Sequence, residues 1–534
     1  MTRTRALVLC LLLWALAIAL RLAWLQWLGA SKYKELGTRQ FLARVELPGE
    51  RGIIYDRRGA LLAGNSLGFN LYQSGPVSDP KGVLASLGVS PANMGNKKAV
   101  LLARGLSPED ASRLSGVEGV FLRPGSPRFY PLGDATRGVI GKVGHDGTGL
   151  SGAEMVLERY LAGRSGYEVF LRTADGARIA IPGAEKKLPE PGWDIYLTVD
   201  SDLEDFAYSA IKETVEKTGA IKGFVIVADP ETGEILALAQ YPPSDRVYAL
   251  TDPYEPGSTL KPLVMAKALE MGLVNLSDSV PIGQGKLQVG KHLIGDVETF
   301  PRGLTWRDAI IHSSNRSMAY LGLQLGPHNI YEALSRFGLF SPTGICLPGE
   351  WSRRPERPPR WSRIRTANAG MGQGVMVTGI GMAMAFCAIA NGGELLAPRL
   401  IKRMAMGENV REFPQRIAIR RVLSPEVADS IRELMIGVVE EGTGRKARIE
   451  GLMIAGKTGT AQKPDTVSGG YSRSRVIASF AGFFPAYSPR YMIYVVVDEP
   501  KAAHYGGDVA APCFRKIALF IINREYGLLA MGEK

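Results

Sequence analysis

Residues 6–28 form an apolar run broken only by Arg21 and Gln26, and no other feature restricts the architecture as strongly. A helix rises about 1.5 Å per residue, so the run spans a hydrocarbon core of about 30 Å with some tilt. Thr2-Arg3-Thr4-Arg5 precedes it. Basic residues on that flank favour a cytoplasmic N-terminus, which puts everything after residue 28 outside the inner (cytoplasmic) membrane. Gly29-Ala30-Ser31 offers small residues suited to signal-peptide cleavage, which is the rival reading. The run outlasts a typical signal h-region of about 7–15 residues, so an uncleaved single-pass anchor is expected. Arg21 either snorkels to the outer interface or meets a polar group on another membrane helix.

A chain of 534 residues exceeds one core and predicts two or three domains. Its formal charge of +12 could suggest nucleic acid, but no run of five basic residues occurs and the cations are interspersed with acids. A basic exterior facing an anionic membrane or polymer, and no nucleic acid, is the reading. The four cysteines (Cys10, Cys346, Cys387, Cys513) stand far apart, with neither metal-ligand spacing nor a disulfide framework. Five dispersed histidines signal neither a zinc site nor a Ser-His-Asp triad. No cofactor or metal is called for.

Residues 1–5 read as the cytoplasmic N-terminus, 6–28 as the transmembrane anchor and 29–191 as a pedestal of short segments punctuated by Gly and Pro. Within the pedestal, residues 51–63 alternate like a strand that meets a turn at Arg58-Gly59. Arg128-Phe129-Tyr130-Pro131-Leu132-Gly133 has the same form, and Gly149-Leu150-Ser151-Gly152-Ala153-Glu154 leads into a helical pattern over 155–161. Buried Arg and acidic residues are normally paired, so these clusters predict salt-bridged turns.

A second domain is expected over 192–525, with a polar tail at 526–534. Residues 195–200 alternate like a strand and 203–215 read as a helix. Residues 223–230 and 235–239 flank Glu231-Thr232-Gly233, a hairpin signal. Further strands are expected at 454–460, 478–484 and 491–497, with helices in between, one of them starting near Trp306. Strands at both ends around a helical middle predict an α+β domain whose antiparallel sheet pairs its first and last segments.

Inside this domain Tyr254-Glu255-Pro256-Gly257-Ser258-Thr259-Leu260-Lys261 precedes an apolar helical pattern reaching Met271. Pro256-Gly257 breaks what comes before, so Ser258 is expected to open the helix with Lys261 beside it on one face. A serine needs an adjacent base, and a lysine serves only if its pKa is lowered. The plain alternative is a helix-capping serine followed by a surface lysine. Ser313-Ser314-Asn315 could likewise cap a helix, and Lys457-Thr458-Gly459 could carry a strand-edge charge against aggregation.

Taken together and in this order, Ser258-x-x-Lys261, Ser313-x-Asn315 and Lys457-Thr458-Gly459 are the signature of penicillin-binding proteins and serine β-lactamases. The chain resembles, over nearly its whole length, the class B penicillin-binding proteins, which are monofunctional peptidoglycan D,D-transpeptidases. The clusters at 51–63, 128–133 and 149–154 resemble that family's pedestal motifs. Thr251-Asp252 ahead of Tyr254, and the short anchor, look most like its septal, cell-division branch. Two positions depart from the family pattern: Arg137-Gly138 stands where Ala-His is usual, and Gly381 where glutamine is common.

The resemblance implies roles. Ser258 would attack the penultimate D-alanine carbonyl of a stem peptide, Lys261 would take its proton, and Ser313 near Lys457 would pass it to the leaving amine. Asn315 would bind the peptide amide, while Lys457, Thr458 and Thr460, with Gly459 between, would hold the terminal carboxylate. The N–H groups of Ser258 and Thr460 would form an oxyanion hole. Implied partners are stem peptides, β-lactams, the membrane, and a polytopic glycan polymerase of the SEDS type engaged through the anchor and pedestal. An elongation role, a β-lactamase or β-lactam sensor, and a scaffold that activates the polymerase are the alternatives. A pedestal of this length argues against the β-lactamase.

Overall fold

A computed structural model of the chain describes residues 2–73, 77, 100–114, 116–173, 178–283, 285–300, 303–352, 357–465 and 470–525. The reading of 526–534 as a tail lies outside these. The chain divides into two compact units, Met1–Gly52 with Ala162–Gly192, and Ile53–Leu161 with Trp193–Lys534.

In the first unit, helix α1 (Thr2–Ala23) runs on through Trp24–Leu28. Among the described residues this is the one helix long and apolar enough to cross a membrane. The Arg21 guanidinium lies over the Trp24 ring, 4.6 Å from its centre, so it finds a partner within its own helix. Farther on, Leu42–Leu47 pairs antiparallel with Gly166–Arg172, which also pairs with Lys186–Lys187.

The second unit opens at Ile54–Tyr55, which lies parallel to Asp194–Leu197, itself antiparallel to Ile401–Met406. The expected turn at Arg58-Gly59 is present. The buried Asp56 carboxylate closes it, accepting the N–H groups of Arg58 (2.7 Å) and Ala60 (2.8 Å) and the Ser201 hydroxyl (2.8 Å). The expected salt-bridged clusters are also present: Arg128 Nε donates to Glu154 Oε1 at 2.7 Å, with both side chains buried. The helical pattern expected over 155–161 instead divides into Gly152–Val156 and Glu158–Leu161. The strand expected over 195–200 stops at Leu197, because Thr198 turns its hydroxyl to the Ile235 and Arg399 carbonyls and Asp200 caps the next helix, α2 (Ser201–Thr218).

The centre is a five-stranded antiparallel sheet of β1 (Lys222–Ala228), β2 (Ile235–Tyr241), β3 (Ala455–Pro464), β4 (Tyr471–Phe484) and β5 (Tyr491–Asp498), in the order β2-β1-β5-β4-β3. As expected, the first and last segments pair: β1 runs against β5 from Lys222↔Asp498 to Ala228↔Met492. Both faces are buried, so near-continuous apolar runs replace simple alternation. Phe224, Ile226, Met492, Tyr494 and Val496 enter one core, while Val225, Val227, Ile493, Val495 and Val497 enter the other. Each fully buried valine or isoleucine contributes about 1.5–3 kcal/mol relative to an exposed one.

Helix α2 and the last helix lie on the second core. On the first lie α3 (Lys261–Glu270), α4 (Asn315–Arg336), α5 (Arg363–Met371), α6 (Gly379–Ala390) and α7 (Pro425–Glu440). Helix α6 is apolar on every side and buried at every residue, which makes it the central pillar of that core. The last helix, α8 (Gly506–Glu525), packs along β4 and β5, stacking Phe514 edge-on against Phe480. Strand β3 is a sheet edge, and the turn Gly257–Leu260 packs against it.

Candidate active site

The stretch before Ser258 is pinned by backbone pairing. Tyr254 exchanges hydrogen bonds with Val377 (3.0 and 2.9 Å), and the Gly257 N–H donates to the Gly372 carbonyl (3.0 Å). Gly372 has φ of +89°, and a Cβ there would stand 1.8 Å from the Gly257 oxygen, so only glycine fits. The α-helix begins at Lys261 rather than at Ser258, which lies in a 3₁₀ turn (Gly257–Leu260). The cause is Pro262: it has no N–H to give to the Ser258 carbonyl, so the Lys261 N–H takes that acceptor in the tighter pattern.

Lys261 is fully buried, which removes the surface-lysine alternative. Its Nζ donates to the Ser313 carbonyl (2.7 Å), to Ser313 Oγ (3.2 Å) and to Asn315 Oδ1 (2.8 Å). Burial pushes its pKa down to about 7, with the Asp296 carboxylate pulling the other way. The hydrogen bonds of the lysine therefore go to the second motif. Among the described residues the Ser258 hydroxyl makes no hydrogen bond, and it is partly exposed.

Lys457 is fully buried as well, so the edge-charge alternative fails. Its Nζ donates to Ser313 Oγ at 2.9 Å and to the Thr458 carbonyl at 3.1 Å. Burial, and then the Lys261 charge, hold its pKa well below the usual lysine range. Two lysines thus converge on one serine hydroxyl. Ser313 reaches both from a left-handed backbone (φ +58°), a conformation a non-glycine residue adopts only when its surroundings impose it. Capping of α4 falls to Ser314, whose Oγ accepts the Ser317 N–H at 3.1 Å. The second motif therefore divides its labour between capping and contact.

Gly459 lets β3 pass against the turn that carries Ser258. A Cβ there would come within 2.3 Å of Ser479 Oγ and 2.8 Å of Thr259 Cγ2. Thr458 Oγ1 shares a hydrogen bond with Thr443 Oγ1 (2.6 Å), and Thr460 Oγ1 accepts the Gly506 N–H (3.1 Å). Beneath the turn the buried hydroxyls of Tyr254 and Tyr494 meet at 2.5 Å. The structure brings Lys261, Ser313, Asn315 and Lys457 into one bonded cluster. Thr458, Gly459 and Thr460 line its edge, and Ser258 stands on the turn beside it.

Sequence reasoning missed three members. Thr443 lies in Gly442-Thr443-Gly444, which carries no catalytic signal by itself, Tyr494 reads as an ordinary core residue of β5, and Asp296 lies in an irregular loop without a pattern. Asp296 accepts from Ser314 Oγ, from the Arg316 N–H (2.9 Å) and from Arg316 Nε (3.1 Å).

This constellation has counterparts. Residues 223–519 match the family described as the penicillin binding protein transpeptidase domain, and residues 46–197 match the penicillin-binding protein dimerisation domain. The probable peptidoglycan D,D-transpeptidase PbpC of Pseudomonas aeruginosa is 32% identical, covering 94% of this chain and 92% of that protein. The peptidoglycan D,D-transpeptidase FtsI of Escherichia coli is 31% identical, covering 98% and 92%. Penicillin binding protein 3 of Mycobacterium tuberculosis, solved in complex with aztreonam, superposes with a TM-score of 0.71 at 27% identity, over 90% of this chain and 97% of that one. A transpeptidase domain over more than half of the chain, with relatives matched end to end, shows that the chain belongs to the class B penicillin-binding proteins and is a peptidoglycan D,D-transpeptidase.

Proposed function

We propose that Ser258 is the nucleophile that cross-links stem peptides. Its Oγ attacks the penultimate D-alanine carbonyl: the Oγ–C bond forms, the C–N bond to the terminal D-alanine breaks, and that residue leaves as an amine. Neutral Lys261 takes the hydroxyl proton, and Ser313 relays a proton to the departing nitrogen. Next, an amine of a second stem peptide attacks the ester: the new C–N bond forms, the Oγ–C bond breaks, and a proton from the amine returns to Ser258 Oγ. The observation that carries this reading is the convergence of two buried lysines on Ser313 beside Ser258, with one of them near pKa 7.

Asn315 orients the donor peptide amide, and Lys457 with Thr458 and Thr460 receives the terminal carboxylate. The carboxylate favours the charged form of Lys457, since an opposite charge stabilises an ammonium. The N–H groups of Ser258 and Thr460 stabilise the oxyanion, each on the order of 3 kcal/mol. The free Ser258 hydroxyl is compatible with this, because catalytic hydrogen bonds tighten when substrate binds.

On the same reading β-lactams acylate Ser258. Support comes from the penicillin binding protein 3 structures of M. tuberculosis solved with aztreonam and with ampicillin. We assign the enzyme to division rather than elongation on Thr251-Asp252 and the short anchor. The basic N-terminal flank puts residues 1–5 in the cytoplasm and the catalytic domain outside. The anchor and the pedestal of residues 29–191 are the surfaces on which a SEDS-type polymerase docks. The test is cross-linking of nascent glycan made by the co-purified polymerase: Ser258→Ala loses cross-links while polymerisation persists. Cross-links surviving that substitution would remove Ser258 from the reaction.

A further inference from the structure

We propose that Asp296 is a positioning residue for the transpeptidation site: it locks the turn that presents Ser313 and Asn315, and it supplies the anion that acts on buried Lys261. The inference deepens the reading of Lys261 as the base and rests on it.

The geometry is specific. Asp296 is almost fully buried, and its carboxylate straddles the N-terminus of α4. One oxygen accepts the Arg316 N–H (2.9 Å) and Ser314 Oγ (3.1 Å), while the other accepts Ser314 Oγ (2.9 Å) and Arg316 Nε (3.1 Å). Arg316 Nη1 is held in turn by the Gly283 carbonyl (3.2 Å). Asp296 therefore grips the residues on either side of Asn315, and Ser314 adjoins Ser313. Among the described residues its hydrogen bonds go to Ser314 and Arg316 rather than to Ser313 or Asn315. Ser313 holds a left-handed conformation, and in it Oγ accepts from both Nζ atoms. A residue gripping Ser314 and Arg316 from outside the motif imposes such a conformation without occupying substrate space.

Charge gives the second half. Among the described residues the charged groups that act on Lys261 are Lys457 from β3 and Asp296 from the loop before α4, the latter paired with Arg316. Asp296 is the anion among them, and it works against the burial that lowers the Lys261 pKa. A base for acylation near neutral pH needs a pKa close to the working pH, and here burial and this carboxylate set it jointly.

The test is the pH profile of acylation by a fluorescent penicillin, on the full-length chain in detergent, for wild type, Asp296→Asn and Asp296→Glu. Asparagine keeps the size but removes the charge and one acceptor. The acylation rate of Asp296→Asn should fall by about tenfold or more, because a misplacement of 1 Å costs up to about 10²-fold. Its acid limb should move to lower pH by at least about half a unit, since losing an anion makes Lys261 easier to deprotonate. Asp296→Glu should restore the position of the limb while recovering only part of the rate. A melting curve identifies variants that do not fold, and the shift of the limb is read from folded protein only. An acid limb unmoved in Asp296→Asn overturns the proposal. If wild type itself forms no adduct that Ser258→Ala lacks, the underlying assignment of Ser258 and Lys261 fails instead.

Discussion

Gly459→Ala is a one-atom perturbation whose consequences follow from the packing of β3 on the turn that carries Ser258. The added Cβ would lie 2.3 Å from Ser479 Oγ, 2.8 Å from Thr259 Cγ2 and 3.0 Å from the Pro256 oxygen. The first contact falls about 1 Å short of ordinary van der Waals separation, the other two by about half that or less. Ser479 can rotate its hydroxyl away, but Thr259 is fully buried and Pro256 contributes backbone, so β3 and the turn must separate. Overpacking of this kind costs about 1–3 kcal/mol of stability. The catalytic loss is larger in proportion, because β3 carries Lys457 and Thr460 while the turn carries Ser258. A displacement of about half an ångström in reacting groups lowers acylation by roughly 10- to 100-fold. The assay is acylation by a fluorescent penicillin, with melting temperature measured on the same preparations. Adding Ser479→Ala removes the nearest clashing atom and should recover part of the stability, but not the acylation, since the contacts with Thr259 and Pro256 persist. Acylation of Gly459→Ala within about twofold of wild type would refute the argument that this close approach sets the geometry.

Lys261→Arg keeps the charge but never deprotonates at accessible pH, so acylation should fall by several orders of magnitude while the fold survives; retention of most of the rate would remove the base role. Glu204 on α2 is fully buried, with Oε2 accepting the Leu238 N–H at 2.6 Å and Oε1 unpartnered among the described residues. Burial raises its pKa to about 8, above its unfolded value, so stability that is full below about pH 4.5 is lost as pH rises towards 8. Glu204→Gln removes that dependence: its melting temperature should exceed that of wild type at pH 8, with the gap closing towards pH 5. A gap that stays constant with pH would show that the carboxyl does not titrate in the fold.

Elements governed by local chemistry were legible in the sequence. The apolar anchor, the turn at Arg58-Gly59, the hairpin around Gly233 and the closing strands all follow from hydrophobic pattern and turn residues acting over a few positions. The long-range pairing of β1 with β5 was legible because both strands are continuously apolar and need two buried faces. What failed was set by detail within a pattern or by distant contacts. One residue, Pro262, moved the helix start from Ser258 to Lys261. The direction of the Lys261 side chain is fixed by acceptors 52 and 54 positions away in the chain, which helical spacing cannot reveal. Asp296 had no signal at all, because a carboxylate in an irregular loop shows its purpose only when α4 arrives beside it. Burial settled the plain alternatives for Lys261 and Lys457, and burial is a property of the assembled fold.

The most direct measurement of the central claim is the intact mass of the full-length chain after incubation with a penicillin, followed by peptide mapping. A single stable adduct on the peptide containing Ser258, absent from Ser258→Ala, is the predicted result. Rapid hydrolysis of the penicillin without accumulated adduct, or an adduct that survives Ser258→Ala, would contradict it.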